Sequence, residues 1–129
     1  MELRNVLGGP LEECGTDPVT GFTRSGRCEV TSEDVGVHGV CAVMTADFLV
    51  SQQELGNDLV TPRPEWRFAG LRPGDRWCVV AVRWLQSAQA GRAAPVVLAS
   101  TSEAVLQVVP VDLLRRYAVD VPDDPSGLV

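Results

Sequence analysis

The chain has 129 residues, 45% of them hydrophobic, with a formal net charge of −6 and four cysteines. That is one domain's worth of sequence, with enough apolar material to form a core without a metal or disulfide staple. The acidic balance, unrelieved by any arginine cluster, excludes nucleic acid and anionic membrane as partners. All basic residues are arginine, so Schiff-base chemistry, a lysine-anchored pyridoxal phosphate and a P-loop nucleotide site are excluded as well.

Met1 to Asn5 lacks the apolar core of a secretion signal, and no apolar run approaches membrane-spanning length. The expected location is cytoplasmic, where the cysteines would stay reduced and unpaired. Asn5-Val6-Leu7 is a short apolar start ended by Gly8-Gly9-Pro10. Residues 8–36 then form a loop rich in Gly, Pro, Asp, Ser and Thr, with a turn from Thr16-Asp17-Pro18 to Gly21 and a helical turn near Thr31 or Ser32.

Val37–Met44 is apolar on both faces and reads as a buried strand. Thr45 is placed to cap a helix with Asp47 in its first turn, Phe48, Leu49 and Leu55 on one side, and Gly56 just past its end. Residues 57–75 hold Pro62, Pro64 and Pro73 and show no period, but Trp66, Phe68 and Leu71 mark the segment as ordered. The turn Leu71–Asp75 launches a central strand, Arg76–Leu85, followed by a short helix at 86–91 and a strand at Val96–Ala99. Thr101 or Ser102 caps another helix, and Asp112–Tyr117 makes the last one, with Arg115 and Arg116 at its favourable end.

The expected fold is therefore α+β: residues 1–119 as a single domain, a small mixed or antiparallel sheet with helices packed mainly on one side, and two long ordered loops. Residues 120–129 read as a frayed acidic tail.

A set of ordered motifs runs through these elements. They are Asn-Val-Leu-Gly-Gly-Pro-Leu from Asn5, Thr-Asp-Pro-Val-Thr-Gly-Phe from Thr16, Glu-Asp-Val-Gly-Val-His-Gly-Val-Cys-Ala-Val-Met-Thr from Glu33, Gly-Asn-Asp-Leu from Gly56, Thr-Pro-Arg-Pro-Glu from Thr61 and Gly-Leu-Arg-Pro-Gly-Asp-Arg-Trp-Cys from Gly70. On these the chain resembles the family called domain of unknown function 2237, from Asn5 to about Tyr117. Members of that family often carry a Cys pair where this chain has Arg27-Cys28, and a second Cys where it has Val80. The resemblance implies no particular activity.

Three candidate chemistries follow from the residues. Cys14, Cys28, His38 and Cys41 have the ligand types of a structural zinc site, but lack Cys-x-x-Cys spacing. On a regular strand His38 and Cys41 point to opposite faces, so convergence would need a bulge at Gly39. Cysteines buried as small hydrophobes in separate environments, without zinc, are the favoured reading. The same residues allow a nucleophilic triad, with Cys41 attacking, His38 as base and Asp34 orienting it. Asp58 is an alternative orienting acid and Cys78 an alternative thiol.

The third is a polar site lined by the 8–36 and 57–75 loops, in which Asn57, Asp58, Arg63 and Arg83 would hold a small anionic ligand. Asn57 and Asp58 are also ordinary turn formers. Arg83, on an otherwise apolar strand, needs a partner, expected to be a carboxylate of the Glu33–Asp34 region or of the Asn57–Asp58 turn. A small-molecule-binding domain or small enzyme, a structural or protein-interaction module, and a Cys/His metal-binding domain all remain open.

Overall fold

The computed structural model describes residues 3–120, and the expected tail beyond Asp120 lies outside the described residues. Strand β1 (Val40–Val43) pairs antiparallel with β2 (Arg76–Val79), with Cys41 opposite Cys78 and Ala42 opposite Trp77. Helix α1 (Ala46–Glu54) follows β1, helix α2 (Ala81–Gln89) follows β2, and α3 (Val111–Arg116) closes the described chain. Short 3-10 turns lie at Pro64–Trp66, Leu98–Ser100 and Glu103–Gln107. The architecture is α+β, as the pattern of the sequence requires.

Alternation along the two strands separates two buried layers. Val40, Ala42, Trp77 and Val79 face the main core with Phe48, Trp84, Val96, Leu98, Val105 and Leu114. Cys41 and Cys78 point the other way, into a smaller cluster with Cys14, Cys28 and Val97. The period of two within each strand produces this division directly.

Helix α1 starts where expected: the Thr45 hydroxyl accepts the Phe48 N–H at 3.0 Å, and Gly56 takes the left-handed backbone at φ +90°. The expected strand 76–85, by contrast, ends at Val79 and gives way to helix at Ala81. The apolar run carried a second pattern, Ala81, Trp84, Leu85 and Ala88, which is helical spacing. Packing of Trp84 selected it: the indole is fully buried, donates to the Ala94 carbonyl at 3.0 Å and meets Tyr117 edge-on.

β2 is paired with β1 alone among the named strands, so it is not the central strand that was expected. The expected 96–99 strand contributes single bridges through Val96, to Ala42 and to Ala118, before the chain turns at Leu98. The helix expected after Ser102 is a 3-10 turn, with the Ser102 side chain accepting from Ala104 N–H. Asp120, expected in the frayed tail, instead accepts the N–H groups of Leu98 and Ala99 at 2.8 and 2.9 Å.

The cysteines overturn a further expectation. They are neither reduced nor in separate environments: Cys14 is bonded to Cys41 and Cys28 to Cys78, with Cα separations of 5.7 and 5.2 Å. Both partners on the sheet are register neighbours, so the loop from Cys14 to Cys28 is bolted at one end to β1 and at the other to β2. Closing loops of 27 and 50 residues removes chain entropy worth roughly 3–4 kcal/mol each.

A buried polar network joins α1 to α2. Gln52 Nε2 donates to the Arg83 carbonyl at 2.8 Å and to Ser87 Oγ at 2.7 Å, while Ser51 and Ser87 hydroxyls lie 2.8 Å apart. Gln52 Oε1 accepts from Asn57 Nδ2 at 2.8 Å, which fixes the start of the 57–75 loop on α1.

Candidate functional site

The two long loops meet over a cleft of about 530 Å³, within the range of small-molecule sites. The first loop contributes Phe22 and Arg24; the second contributes Asn57, Asp58, Leu59, Arg63, Trp66 and Phe68; His38 and Trp77 lie between them. The bolted loop 14–28 holds the first wall. Gly21 permits its tight return at φ +103°, where a Cβ would collide with the Arg27 carbonyl. The second wall folds back on itself through paired backbone bonds between Arg63 and Phe68 at 2.7 and 3.0 Å, and through Leu71 N–H to Leu59 O at 2.8 Å.

His38 precedes β1 and is held from two sides. Its Nδ1 lies 2.6 Å from Asp34 Oδ1, and its backbone N–H donates to Asp34 Oδ2 at 2.8 Å. The Asp34 side chain is fully enclosed, while that of His38 is about a third exposed. A carboxylate accepting at Nδ1 places the ring proton there and leaves Nε2 as a base in the neutral ring, or as a donor in the charged one. Phe22 packs against the imidazole at 5.5 Å between centroids.

The backbone before His38 is unusual. Val37 has φ +57°, a region that costs a β-branched residue about 1–2 kcal/mol. Backbone bonds fix it: Val37 N–H donates to Asp34 O at 3.1 Å, and Val37 O accepts from Gly39 at 2.7 Å and Ala81 at 3.0 Å. Strain held in place next to the one histidine marks this corner as constrained by more than packing.

Two guanidinium groups border the cleft over tryptophan faces: Arg24 at 4.9 Å from the Trp77 ring centre and Arg63 at 5.7 Å from that of Trp66. Among the described residues neither forms a carboxylate ion pair within 4.0 Å. Trp66 is 65% exposed and Phe22 42%, an aromatic rim open to solvent.

Asp58 is occupied within its own turn. One oxygen accepts from Val60 and Thr61 N–H at 2.9 and 3.0 Å, the other from the Thr61 hydroxyl at 2.6 Å. The Thr61 hydroxyl, and then these N–H bonds, hold its pKa below the usual carboxylate value. Asn57 likewise spends its amide on Gln52.

The sequence candidates are thus divided by the fold. His38, Asn57, Asp58 and Arg63 border one cleft, with Asp34 directly behind His38. Arg83 does not join them: it is half-exposed on α2 and donates from Nη1 to the Leu55 carbonyl at 3.1 Å. Its expected carboxylate partner is replaced by an orphan carbonyl at the end of α1, which a guanidinium satisfies equally well.

Cys41 is buried in the sulfur cluster on the far side of β1, bonded to Cys14, so the Cys41–His38–Asp34 triad does not assemble. His38 is not brought back toward the cysteines: it lines the cleft beside Phe22, with its ring held by Asp34. The Cys14–Cys28–His38–Cys41 ligand set fails for the same reason. Cys78 takes the place of His38 in the cluster, with the sulfurs of Cys14, Cys28 and Cys78 all within 4.8 Å of one another.

Sequence reasoning missed Arg24, Phe22 and Trp77 as lining residues. Trp77 and Phe22 both read as core from the sequence: Trp77 is buried as well as lining the cleft, whereas Phe22 is 42% exposed at its rim. Arg24 carried no signal beyond its place in a Gly-rich loop.

Fold and cleft together define a small α+β domain with an aromatic, arginine-bordered pocket backed by an Asp–His pair. The chain belongs to the family described as uncharacterized protein conserved in bacteria (DUF2237), whose model matches residues 4–118. No curated protein sequence matches it. Among the described residues no helix is long and apolar enough to cross a membrane.

Proposed function

We propose that this domain binds a small anionic molecule with a planar, apolar body in the cleft between the two loops. The observation that carries the reading is the pair Arg24 and Arg63, stacked on Trp77 and Trp66 at the cleft with no carboxylate within 4.0 Å among the described residues, Asp58 acting on Arg63 only at longer range. Arg24 spends one Nη1 donor on the Gly21 carbonyl at 3.3 Å, which fixes the side chain over Trp77. A guanidinium held over an aromatic face presents its remaining donors to a carboxylate or phosphate, and the aromatic rim supplies the apolar contact. His38 adds a third polar contact through Nε2, oriented by Asp34.

The test is titration with benzoate and phenyl phosphate, followed by tryptophan fluorescence and by chemical shifts of the arginine side chains. Saturable binding of either probe is expected, weakened at least tenfold in Arg24→Gln/Arg63→Gln. Absence of saturation, or equal affinity in the double variant, overturns the reading.

The Asp34–His38 pair favours a second reading, that the bound molecule is also transformed. None of the lining residues is Ser, Thr or Cys, so the cleft offers no hydroxyl or thiol nucleophile, and His38 would act as a general base on water or on the ligand itself. Loss of turnover in His38→Gln at saturating ligand, beyond any weakening of probe binding, would separate catalysis from binding. The two disulfides support placing the oxidised form outside a strongly reducing compartment, in contrast to the cytoplasmic location expected from the sequence.

A further inference from the structure

We propose that the four cysteines form a second, redox-gated site: with both disulfides reduced, Cys14, Cys28, Cys41 and Cys78 bind one soft divalent cation of the zinc type. The inference rests on placement. β1 and β2 bring Cys41 and Cys78 opposite each other on one face of the sheet, and the loop that covers this face delivers Cys14 and Cys28 at its two ends. Three of the sulfurs already lie within 4.8 Å of one another, and the fourth, that of Cys41, is bonded to one of those three.

Tetrahedral thiolate coordination at about 2.3 Å places sulfurs roughly 3.8 Å apart. Reaching it from here requires side-chain rotation that separates the bonded sulfurs to contact distance and draws the others slightly inward. All four residues are almost fully buried, in surroundings completed by Val97 and the edge of Val43. The backbone on either side is pinned independently of the sulfurs: Cys41 N–H donates to the Thr101 hydroxyl at 3.1 Å and Cys78 N–H to the Thr20 hydroxyl at 2.8 Å. A closed, rigid sulfur cage is the arrangement of a structural site, not of an open catalytic one.

Two equivalents of a two-electron reductant are needed, one for each S–S bond. With a dithiol, each equivalent is itself oxidised to a disulfide and hands over two electrons and two protons, so each S–S bond becomes two S–H groups. The cation then displaces the thiol protons, and coordination re-staples the loop to both strands. The oxidised and metal-bound forms would share one fold, each holding the Phe22–Arg24 wall in place.

The experiment uses the whole chain treated with a phosphine reductant, each equivalent of which takes an oxygen from water as it cleaves a disulfide. It is titrated with cobalt(II) and then with zinc, in parallel with untreated protein. One cobalt per reduced chain is expected, with the strong visible absorption of tetrahedral thiolate coordination, displaced by zinc and absent from the oxidised protein. Buried-type fluorescence from Trp84 and a raised thermal midpoint should accompany it. Cys78→Ser should weaken binding at least tenfold, because Cys78 belongs to this cage and not to a Cys14–Cys28–His38–Cys41 set. Substoichiometric uptake, uptake with equal affinity by the guanidinium-unfolded chain, or unaltered binding in Cys78→Ser overturns the proposal.

Discussion

His38 and Asp34 are joined twice: the imidazole Nδ1 lies 2.6 Å from one carboxylate oxygen, and the His38 backbone N–H donates to the other at 2.8 Å. Together with the backbone bonds from Asp34 to Thr31 and from Val37 to Asp34, the double contact holds this turn in place beside the cleft. It also identifies which of the chain's acids orients its one histidine.

Asp34→Ala should therefore act on stability and on the site together. The His38 N–H loses its acceptor, with an expected cost of about 1–3 kcal/mol in urea unfolding. Probe affinity should fall too, since Nε2 is no longer aimed. A variant as stable as the parent would show that the pair is incidental to the fold.

The Gln52 network is predicted to matter more than its distance from the cleft suggests. Gln52→Leu keeps the volume but removes partners from Ser87, the Arg83 carbonyl and Asn57 at once. A loss of about 2–4 kcal/mol is expected on denaturant unfolding. Because Asn57 is anchored through Gln52, the second wall should loosen as well, visible as faster hydrogen exchange over residues 57–68.

Cys28→Ser, measured under oxidising conditions, should cost roughly 2–5 kcal/mol. It frees one end of the loop carrying Phe22 and Arg24, so weaker probe binding is expected alongside the stability loss. In the parent protein, reductant with a chelator should reproduce the second effect without any substitution.

Asp58 supplies a pH-dependent prediction. Its pKa is held below the unfolded value, first by the Thr61 hydroxyl and then by Thr61 and Val60 N–H groups. Its contribution to stability is therefore full above the unfolded value of about 3.9 and is lost as pH falls through the lower, folded one. The difference in unfolding midpoint between the parent and Asp58→Ala should be constant from pH 7 to about pH 5 and should shrink below about pH 4. Asp58 is only partly buried and screened by solvent, so the turn is a small term, and a difference independent of pH would show that its carboxylate does not stabilise it.

Which features were legible in the sequence follows from the range of the forces involved. Thr45 and Gly56 bound α1 because capping and left-handed backbone are decided within a few residues, and the motifs from Asn5 to Cys78 identified the family on linear order alone. The grouping of Asn57, Asp58 and Arg63 was readable because they share one loop. The strand–helix switch at Val80 was not, because Val79 to Leu85 satisfies both periods and only burial of Trp84 chooses. Likewise Arg83 advertised a buried ion pair, and folding gave it the open carbonyl of Leu55. Most of all, four cysteines spaced 14, 28, 41 and 78 say nothing about pairing. That was decided when two antiparallel strands set Cys41 beside Cys78 and one loop returned both its ends to them, a contact between segments far apart in the chain that no local pattern encodes.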